Sequence, residues 1–299
     1  MAEVRSLSSR GDGAASTTRG GQGRRYQATR LVAPSRLLPR GPLDLLLQLA
    51  VLAAAYTAWR YARGAVHGDT VAEMGAAFAN ARDLIDAQDS VGLLFEPGLQ
   101  SWAIDAGWPA EVARWGYANL HFKGACAGLL AIYFVWPGSF PFVRNTVIAA
   151  MAISLLGYAL YPTAPPRFIG ELGLDPSVTG NESLELTGTD ALYNPFAAVP
   201  SMHVGLAMIV FWSIALLASN RVVKGLLFAY PLLMTYVVVA SGNHYWLDAV
   251  FGAVTAALAA GAATLVARRR PEWAFGAELP PQPATSAADP KREPEAAAA

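Results

Sequence analysis

The sequence has few charged residues: only 15% of its 299 residues are Asp, Glu, Lys or Arg, whereas soluble domains usually carry about 25%. This deficit argues against a soluble enzyme, a disordered chain and a nucleic-acid-binding protein. Cysteine is nearly absent as well. The single Cys126 excludes an internal disulfide framework and a thiolate zinc site.

The sequence contains several long apolar stretches. A soluble helical bundle is the alternative, but its helices should keep charged faces, and Val204–Ala218 and Leu226–Ala240 carry no charge at all. Where a stretch is shorter than the roughly 20 residues of a full span, we expect flanking residues to extend it or the bilayer to thin. The sequence therefore predicts an all-α polytopic membrane protein, a six-transmembrane-helix bundle. Its spans are predicted near Leu43–Trp59, Gly116–Trp136, Asn145–Tyr161, Met202–Ser219, Gly225–Ala240 and Asp248–Ala267.

The two ends of the chain differ in composition from the middle. Residues 1–42 are rich in Gly, Ser and Arg, and residues 268–299 are rich in Pro, Ala and Glu. Both have too few large apolar residues to form a core, so we predict disordered tails around a membrane catalytic domain at residues 43–267. The Arg- and Ser-rich start also resembles a transit peptide, but its glycines and prolines disfavour the amphipathic helix that such a peptide needs.

The distribution of charge predicts the orientation. Six spans place both tails on one side, and that side collects 16 of the 22 basic residues, which the positive-inside rule assigns to the cytoplasm. The Ala, Gly and Arg richness is typical of a GC-rich bacterium, so we expect a bacterial plasma membrane. Two long outward loops follow, at residues 62–115 and 162–200. The first contains a stripe that predicts an amphipathic helix at Phe78–Leu94 on the membrane surface, and the second contains six prolines that exclude a regular helix.

Two histidines stand where an outward loop meets a predicted span. His203 lies at the start of the fourth stretch, and His244 lies just before the sixth. Arg167 follows the third stretch and reaches the same outer face. We therefore expect two imidazoles and a guanidinium at one membrane surface.

The spacing around these histidines is suited to phosphoryl chemistry. His244 and Asp248 are four residues apart, so the carboxylate can accept the Nδ1–H and leave Nε2 free as a base or nucleophile. Ser201 precedes the fourth stretch as a helix-start residue, and the N–H groups of that first turn favour an anion. Arg167 can bind two phosphate oxygens through its fork, and His203 is placed to protonate a leaving oxygen.

Two further hypotheses concern the same region. His203, His244 and Asp248 are also suitable zinc ligands, but Arg167 beside a metal is electrostatically awkward unless phosphate lies between them. Lys123 lies about 12 Å inside the second stretch, and a lysine at that depth is a candidate phosphate ligand. It can also snorkel or pair with an acidic neighbour. His121 precedes Lys123 by two residues and points about 160° away, so we do not expect both in one pocket.

These residues resemble a known family. Pro-Ser-Met-His at 200–203 and Asn-His-Tyr with Asp248 look like the second and third signature motifs of the type 2 phosphatidic acid phosphatase superfamily. The resemblance is closer to its inositolphosphotransferase branch, which includes fungal inositol phosphorylceramide synthase, because Pro-Pro-Arg-Phe at 165–168 resembles that branch's first motif. The segments Asp89–Gln100 and Asn119–Phe122 also look like features of the branch. The resemblance extends over about residues 80–262.

The sequence departs from the wider superfamily at three positions. The first motif there has a lysine seven residues before its arginine and a proline just after it, but here these positions are Leu160 and Phe168. The third motif usually has an arginine six residues before its histidine, and here this is Val238. The branch lacks the two cations as well, so the departure favours phosphodiester formation or an unusual lipid over simple phosphomonoester hydrolysis.

The resemblance implies a function and a set of roles. We expect a lipid-phosphate phosphatase or phosphotransferase at the outer leaflet that moves a phospho-headgroup to an alcohol or lipid acceptor and needs neither metal nor cofactor. His244 is the expected nucleophile, Asp248 orients it, and His203 is the general acid and base. Arg167, Ser201 and Lys123 are the expected phosphate ligands. A simple lipid or polyprenyl phosphate phosphatase is the first alternative, and a non-catalytic lipid transporter or scaffold is the second.

Overall fold

The computed structural model describes residues 39–66, 71–179 and 194–269. The predicted disordered tails fall almost wholly outside these ranges. Within them the chain is helical, apart from short 3₁₀ turns and one isolated parallel bridge between Thr163 and Ala197, so the all-α prediction is confirmed there. The helices are α1 Pro42–Ala65, α2 Val71–Ser90, α3 Glu96–Ala106, α4 Trp108–Asn119, α5 Phe122–Val135, α6 Phe140–Leu160, α7 Met202–Ala207, α8 Ser213–Leu217, α9 Arg221–Ala240 and α10 Trp246–Arg269, with a π-helix at Met208–Trp212 between α7 and α8.

Four of the described helices are long and apolar enough to cross a membrane, namely α1, α6, α9 and α10. Helices α4 and α5 meet the same test together, but they are bent by 59° at the break between them. They bring the number of candidate spans to five. The apolar helix Met202–Leu217 is shorter than a full span. The described helices are thus compatible with an integral membrane protein, and each predicted apolar stretch coincides with a helical segment, but a count of six spans is not confirmed.

Local sequence signals explain where several helices begin. Pro42 occupies the first turn of α1, where its missing N–H costs nothing, and it follows Gly41, which has a positive φ of 85°. Helix α9 is capped by Asn220, whose side-chain oxygen accepts hydrogen bonds from the N–H groups of Val222 (2.9 Å) and Val223 (3.1 Å). These signals are local in the sequence and account for where the two helices start.

Close packing of α10 brings two helix starts together. Helix α10 packs against α6 and α7, and a Cβ at Gly252 of α10 would clash with the carbonyl oxygen of Ser201, just before α7. A Cβ at Gly205 of α7 would in turn lie 3.1 Å from the Gly252 carbonyl oxygen. Glycines that allow helices to approach this closely are typical of membrane helix interfaces. The contact places the N-terminus of α7 beside that of α10.

The region predicted as the first long outward loop is largely helical, since it contains α2, α3 and α4. The expected helix around Phe78–Leu94 exists as part of α2, but its placement with the apolar stripe on the lipid surface is wrong. Its Ala77, Ala81 and Leu84 are buried against protein, in a cluster with Tyr245. The stripe therefore covers the loops that carry the predicted motifs.

The second outward loop lacks regular helix where it is described, as its prolines predict. It forms three 3₁₀ turns at Pro166–Phe168, Gly170–Leu172 and Pro176–Thr179, and residues 180–193 lie outside the described part. The buried Gln100 fixes it to the helices. Its amide accepts a hydrogen bond from Asp175 N (2.7 Å) and donates to the carbonyl oxygen of Ala240 (3.1 Å). The loop is thus held against the end of α9, next to the turn that contains His244.

Candidate active site

His244 lies in the turn before α10, and Asp248 lies in the first turn of that helix. The His244 Nδ1 atom is 3.1 Å from Asp248 Oδ2, and the backbone N–H of Tyr245 donates to the same oxygen at 2.9 Å. Asp248 is fully buried. A carboxylate can only accept, so the imidazole donates from Nδ1, and its Nε2 is left with a lone pair in the neutral ring.

His203 faces that second nitrogen. It belongs to α7, and its Nδ1 lies 3.2 Å from His244 Nε2. The two residues are separated by 41 positions in sequence, and the close packing of α7 against α10 brings them into contact. A phosphoryl group that reacts with His244 Nε2 must enter between the two rings, with His203 on the side opposite the nucleophile.

Ser201 lies beside Asp248, at the start of α7. Its backbone N–H donates to the Asp248 carbonyl oxygen at 3.0 Å, so α10 holds the residue in place. The side chain does not cap α7, and its buried Oγ has no hydrogen-bond partner among the described residues. Leaving a buried hydroxyl unsatisfied costs about 1–3 kcal/mol. The hydroxyl is therefore available to an anionic ligand.

Arg167 is attached to the same turn as His244. Its backbone N–H donates to the Gly242 carbonyl oxygen at 3.0 Å, and its guanidinium donates to the side-chain oxygen of Asn243. Gly242 has a positive φ of 67°, which glycine adopts at little cost. The first and third predicted motifs are thus joined directly, and they place a cation beside the turn that contains His244.

The segment Asp89–Gln100, one of the two further segments that resemble the branch, supports α10 through Glu96. Glu96 is fully buried, and its Oε1 accepts hydrogen bonds from Gln88 Nε2 (2.9 Å) and from the backbone N–H of Trp246 (3.2 Å). Trp246 is the first residue of α10, so the carboxylate sits at the positive end of that helix dipole. Glu96 therefore positions the turn that presents His244 and Asp248.

Tyr245 contributes a neutral hydroxyl to the same turn. Burial, reinforced by the negative charges of Asp248 and Glu96, raises the pKa of its phenol well above the usual range. The group stays protonated and donates to the carbonyl oxygen of Ala164 at 3.2 Å. This bond ties the turn to the loop that contains Arg167.

Lys123 is not brought to these residues. Its side chain is exposed, and its Nζ donates to the Asn119 Oδ1 at 2.6 Å. His121, two positions earlier, lies at the break between α4 and α5 and points inward instead. The ring centroid of His121 is 4.0 Å from that of His203, and the Tyr117 ring stacks on His203 at 4.9 Å.

Two groups near His203 were therefore missed as site residues in the sequence. His121 reaches the ring because the bend between α4 and α5 falls at this point, and only its spacing of four residues from Tyr117 pointed to a shared face. Arg63, near the end of α1, lines the same cavity as His121 and His203, and its guanidinium lies 5.2 Å from the Trp59 ring. The spacing of Trp59 and Arg63 by one helical turn was the available signal.

The same geometry bears on the zinc hypothesis. Asp248 contacts Nδ1 of His244, and His203 contacts Nε2, so these two partners lie on opposite sides of one imidazole ring. A single ion cannot be bound by all three in this arrangement. Among the described residues no cluster of three or more His, Cys, Asp or Glu side chains is placed to hold a metal ion.

A buried His–Asp pair, a facing histidine and an adjacent arginine are groups that a phosphoryl-transfer enzyme can use, and the apolar helices that carry them are compatible with an integral membrane protein. A model of the PAP2 superfamily matches residues 82–262, and the chain belongs to that superfamily. It is therefore a phosphatase or phosphotransferase rather than a transporter or scaffold. No curated protein and no solved structure matches the chain.

Arg63→Gln is expected to weaken the binding of a lipid phosphate. A hydrogen bond to a charged group contributes about 1.5–3 kcal/mol, so kcat/KM should fall about 10- to 100-fold, mainly through KM, and Arg63→Lys should recover part of it. The measurement is steady-state kinetics on a lipid phosphate in detergent. Arg82→Gln is the matched control, because Arg82 pairs on the surface with Glu171 at 3.6 Å. Equal KM values for Arg63→Gln and the control would contradict a role at the phosphate.

Proposed function

We propose that this chain transfers a phosphoryl group from a lipid phosphate through a phosphohistidine on His244. The observation that carries the proposal is the line of contacts from Asp248 through His244 to His203, at 3.1 and 3.2 Å. This line supplies an oriented nucleophile and an opposed proton donor, which are the two groups that a double displacement at phosphorus requires.

The reaction proceeds in two displacements. His244 Nε2 attacks phosphorus, the bond from phosphorus to the ester oxygen breaks, and His203 gives its proton to the departing alkoxide. In the second step His203 takes the proton from water or from an acceptor alcohol, whose oxygen attacks the phosphohistidine and releases His244. Arg167 and Ser201 balance the charge of the phosphoryl oxygens, and Asp248 stabilises the charged ring. Lys123 was the third predicted ligand, and its exposed position gives this assignment no support.

The surroundings favour transfer to an acceptor over simple hydrolysis. Val238, at the position of the superfamily's third-motif arginine, is completely buried, and its carbonyl oxygen accepts hydrogen bonds from the backbone N–H groups of Asn243 and His244. Leu160, at the position of the first-motif lysine, is 80% exposed on the outside of α6. The site thus has fewer cations around the phosphate than a phosphomonoesterase of this superfamily. We infer an inositolphosphotransferase-like enzyme, with a lipid or polyprenyl phosphate phosphatase as the alternative.

Competition between acceptors tests this proposal. Purified protein in detergent, with EDTA present throughout, is incubated with polyprenyl, glycerolipid and inositol-containing lipid phosphates. A transferase should release less inorganic phosphate or free headgroup as a lipid alcohol is added, with a matching amount of a new phosphodiester. Phosphate release that does not depend on the alcohol supports the phosphatase. Activity that EDTA abolishes and zinc restores would contradict the metal-independent mechanism.

We further propose six spans, with both termini in the cytoplasm and the site at the outer leaflet. The support is the 16 basic residues on the side of the tails and the near-span length of the bent α4–α5 pair. In this arrangement Met202–Leu217, the fourth apolar stretch along the chain, is counted as a span although it is short. The loop residues before it complete the crossing.

Single cysteines test this topology in a Cys126→Ser background. Glu171→Cys lies in the outward loop, and Val222→Cys lies at the start of α9, where Val222 is 71% exposed. A membrane-impermeant thiol reagent applied to intact cells should label the first and spare the second, and it should label both after the cells are opened. The reverse pattern would place the active site in the cytoplasm.

A further inference from the structure

A long cavity of about 540 Å³ leads away from His203 between α1, α5, α6 and α7. The end of the cavity nearest His203, which we call its mouth, is lined by polar groups, among them Arg63, His121 and His203. Its walls are apolar and include Leu49, Leu52, Leu129, Leu130, Met151 and Val210. The volume lies within the range of roughly 300–1,000 Å³ that is usual for small-molecule sites.

The length of the cavity is close to the thickness of the hydrocarbon core of a bilayer. The α1 residues that line it begin at Arg63 and end at Leu45, a rise of about 27 Å along the helix. The hydrocarbon core of a bilayer is ~30 Å thick. A site of this depth, with an apolar wall over most of its length, suits an extended hydrocarbon chain and not a second headgroup.

Polar groups line the far end of the cavity and form what we call its floor. Gln48 and Tyr133 line the cavity there, and both donate hydrogen bonds to Asp44, at 3.1 and 2.9 Å. The buried guanidinium of Arg144 donates to the side-chain oxygen of Gln48. These groups satisfy one another, and a methylene chain that displaced them would leave buried polar atoms unpaired. The floor therefore sets a limit to the length of an apolar ligand.

We propose that this cavity binds one hydrocarbon chain of the lipid that reacts at His244, and that its floor sets the preferred chain length. This inference rests on the proposed lipid-phosphate chemistry. A cation at the mouth above apolar walls matches an anionic head with an apolar tail. Of the two catalytic histidines, His203 lines the cavity and His244 does not. The oxygen that joins the chain to phosphorus thus faces the proton donor, as a leaving or attacking oxygen must.

Filling the cavity halfway tests the proposal. Ala53 and Ala54 are exposed neighbours on α1, and of the two only Ala53, ten residues before Arg63, lines the cavity. Ala53→Phe should shift the preferred chain length of a series of alkyl phosphates to shorter chains. Its kcat/KM for chains that reach the floor should fall about tenfold or more, as misfits of one methylene do in apolar pockets. Ala54→Phe adds the same ring to the same helix and should behave as wild type.

The soluble ester p-nitrophenyl phosphate separates the two possible failures. If the wild-type protein consumes neither this ester nor any alkyl phosphate, with or without an acceptor alcohol present, the proposed chemistry itself is wrong. If both variants hydrolyse the soluble ester normally and show the wild-type dependence on chain length, the cavity is not the chain site and the chemistry stands.

Cys126 provides a test that does not depend on turnover. It is the only cysteine in the chain, and it lines the cavity wall. A long-chain alkyl phosphonate, whose carbon–phosphorus bond is not cleaved, should slow its reaction with N-ethylmaleimide about tenfold at ten times the Kd, and methylphosphonate should not. The matched control is Cys126→Ser with Leu232→Cys, since Leu232 is 72% exposed on α9 and lies outside the cavity. Its labelling should be unchanged, and equal labelling of Cys126 with both phosphonates would overturn the proposal.

Discussion

His244→Ala should be inactive on every phosphate ester and should form no phosphoenzyme. The alanine removes the Nε2 atom that faces His203 across 3.2 Å, and both displacements pass through the bond that this atom forms. Removal of the nucleophile lowers kcat of other enzymes by about 10⁴-fold or more. A better leaving group cannot restore this rate, because the covalent step is lost. The measurement is turnover on lipid phosphates and on p-nitrophenyl phosphate, together with acid-labile ³²P incorporation after rapid quenching.

Asp248→Asn should show a weaker form of the same defect. The amide keeps the size of the carboxylate but removes the charge that stabilises the ring of His244, so activity should fall on all substrates without vanishing. Because Asp248 is buried and also accepts the N–H of Tyr245, thermal unfolding of each variant must be followed alongside activity. A folded His244→Ala protein that still incorporates label would show that another residue is the nucleophile.

The sequence was informative where chemistry depends on short spacing. The four-residue separation of His244 and Asp248 is enough to predict their pairing, because one turn of chain fixes the geometry. The positions of His203 and Arg167 at segment ends also predict a common face, and the contacts through Gly242, Asn243 and His244 show both arriving there. The glycine pair Gly205 and Gly252 then allows α7 and α10 to pack closely enough for the two histidines to meet.

The sequence was less informative where a residue's role depends on a bend or a distant helix. Lys123 was favoured as a phosphate ligand on the assumption of one straight helix, but the 59° break beside it directs His121 inward and leaves Lys123 exposed. Arg63 is not predicted because α1 continues past Trp59, and its spacing of one turn from Trp59 does not reveal that it lines a cavity shared with α5 and α7.

Burial of the α2 stripe has a similar cause. An apolar face on a membrane protein suits lipid and protein equally, so the pattern alone does not identify its partner. In the structure Ala77 accepts a hydrogen bond at its carbonyl oxygen from the backbone N–H of Ala164 (3.1 Å), and Asn80 donates to the carbonyl oxygen of Pro162 (2.8 Å). These two bonds join α2 to an irregular loop more than 80 residues away in the sequence. They hold the apolar stripe against this loop instead of lipid.

His203→Ala should lose activity in a way that depends on the leaving group. His203 contacts His244 through Nδ1, and its ring also meets Tyr117 and His121 at the mouth of the cavity. A lipid alkoxide is a strong base that leaves only when it is protonated, and loss of a general acid typically costs 10²–10⁴-fold. Turnover of lipid phosphates by His203→Ala should therefore fall by about this factor. Its turnover of p-nitrophenyl phosphate should stay much closer to the wild-type rate, because the leaving oxygen of this ester is a weak base.

The fate of the phosphoenzyme separates the two histidines. In His203→Ala the nucleophile is intact, so p-nitrophenyl phosphate should still phosphorylate His244, but no base remains to activate water or an alcohol for the second step. The covalent intermediate should accumulate, and small bases such as imidazole should accelerate its decay. A phosphoenzyme that forms in His244→Ala and is lost in His203→Ala would reverse the two roles. The opposite pattern assigns the nucleophile to the ring that Asp248 holds.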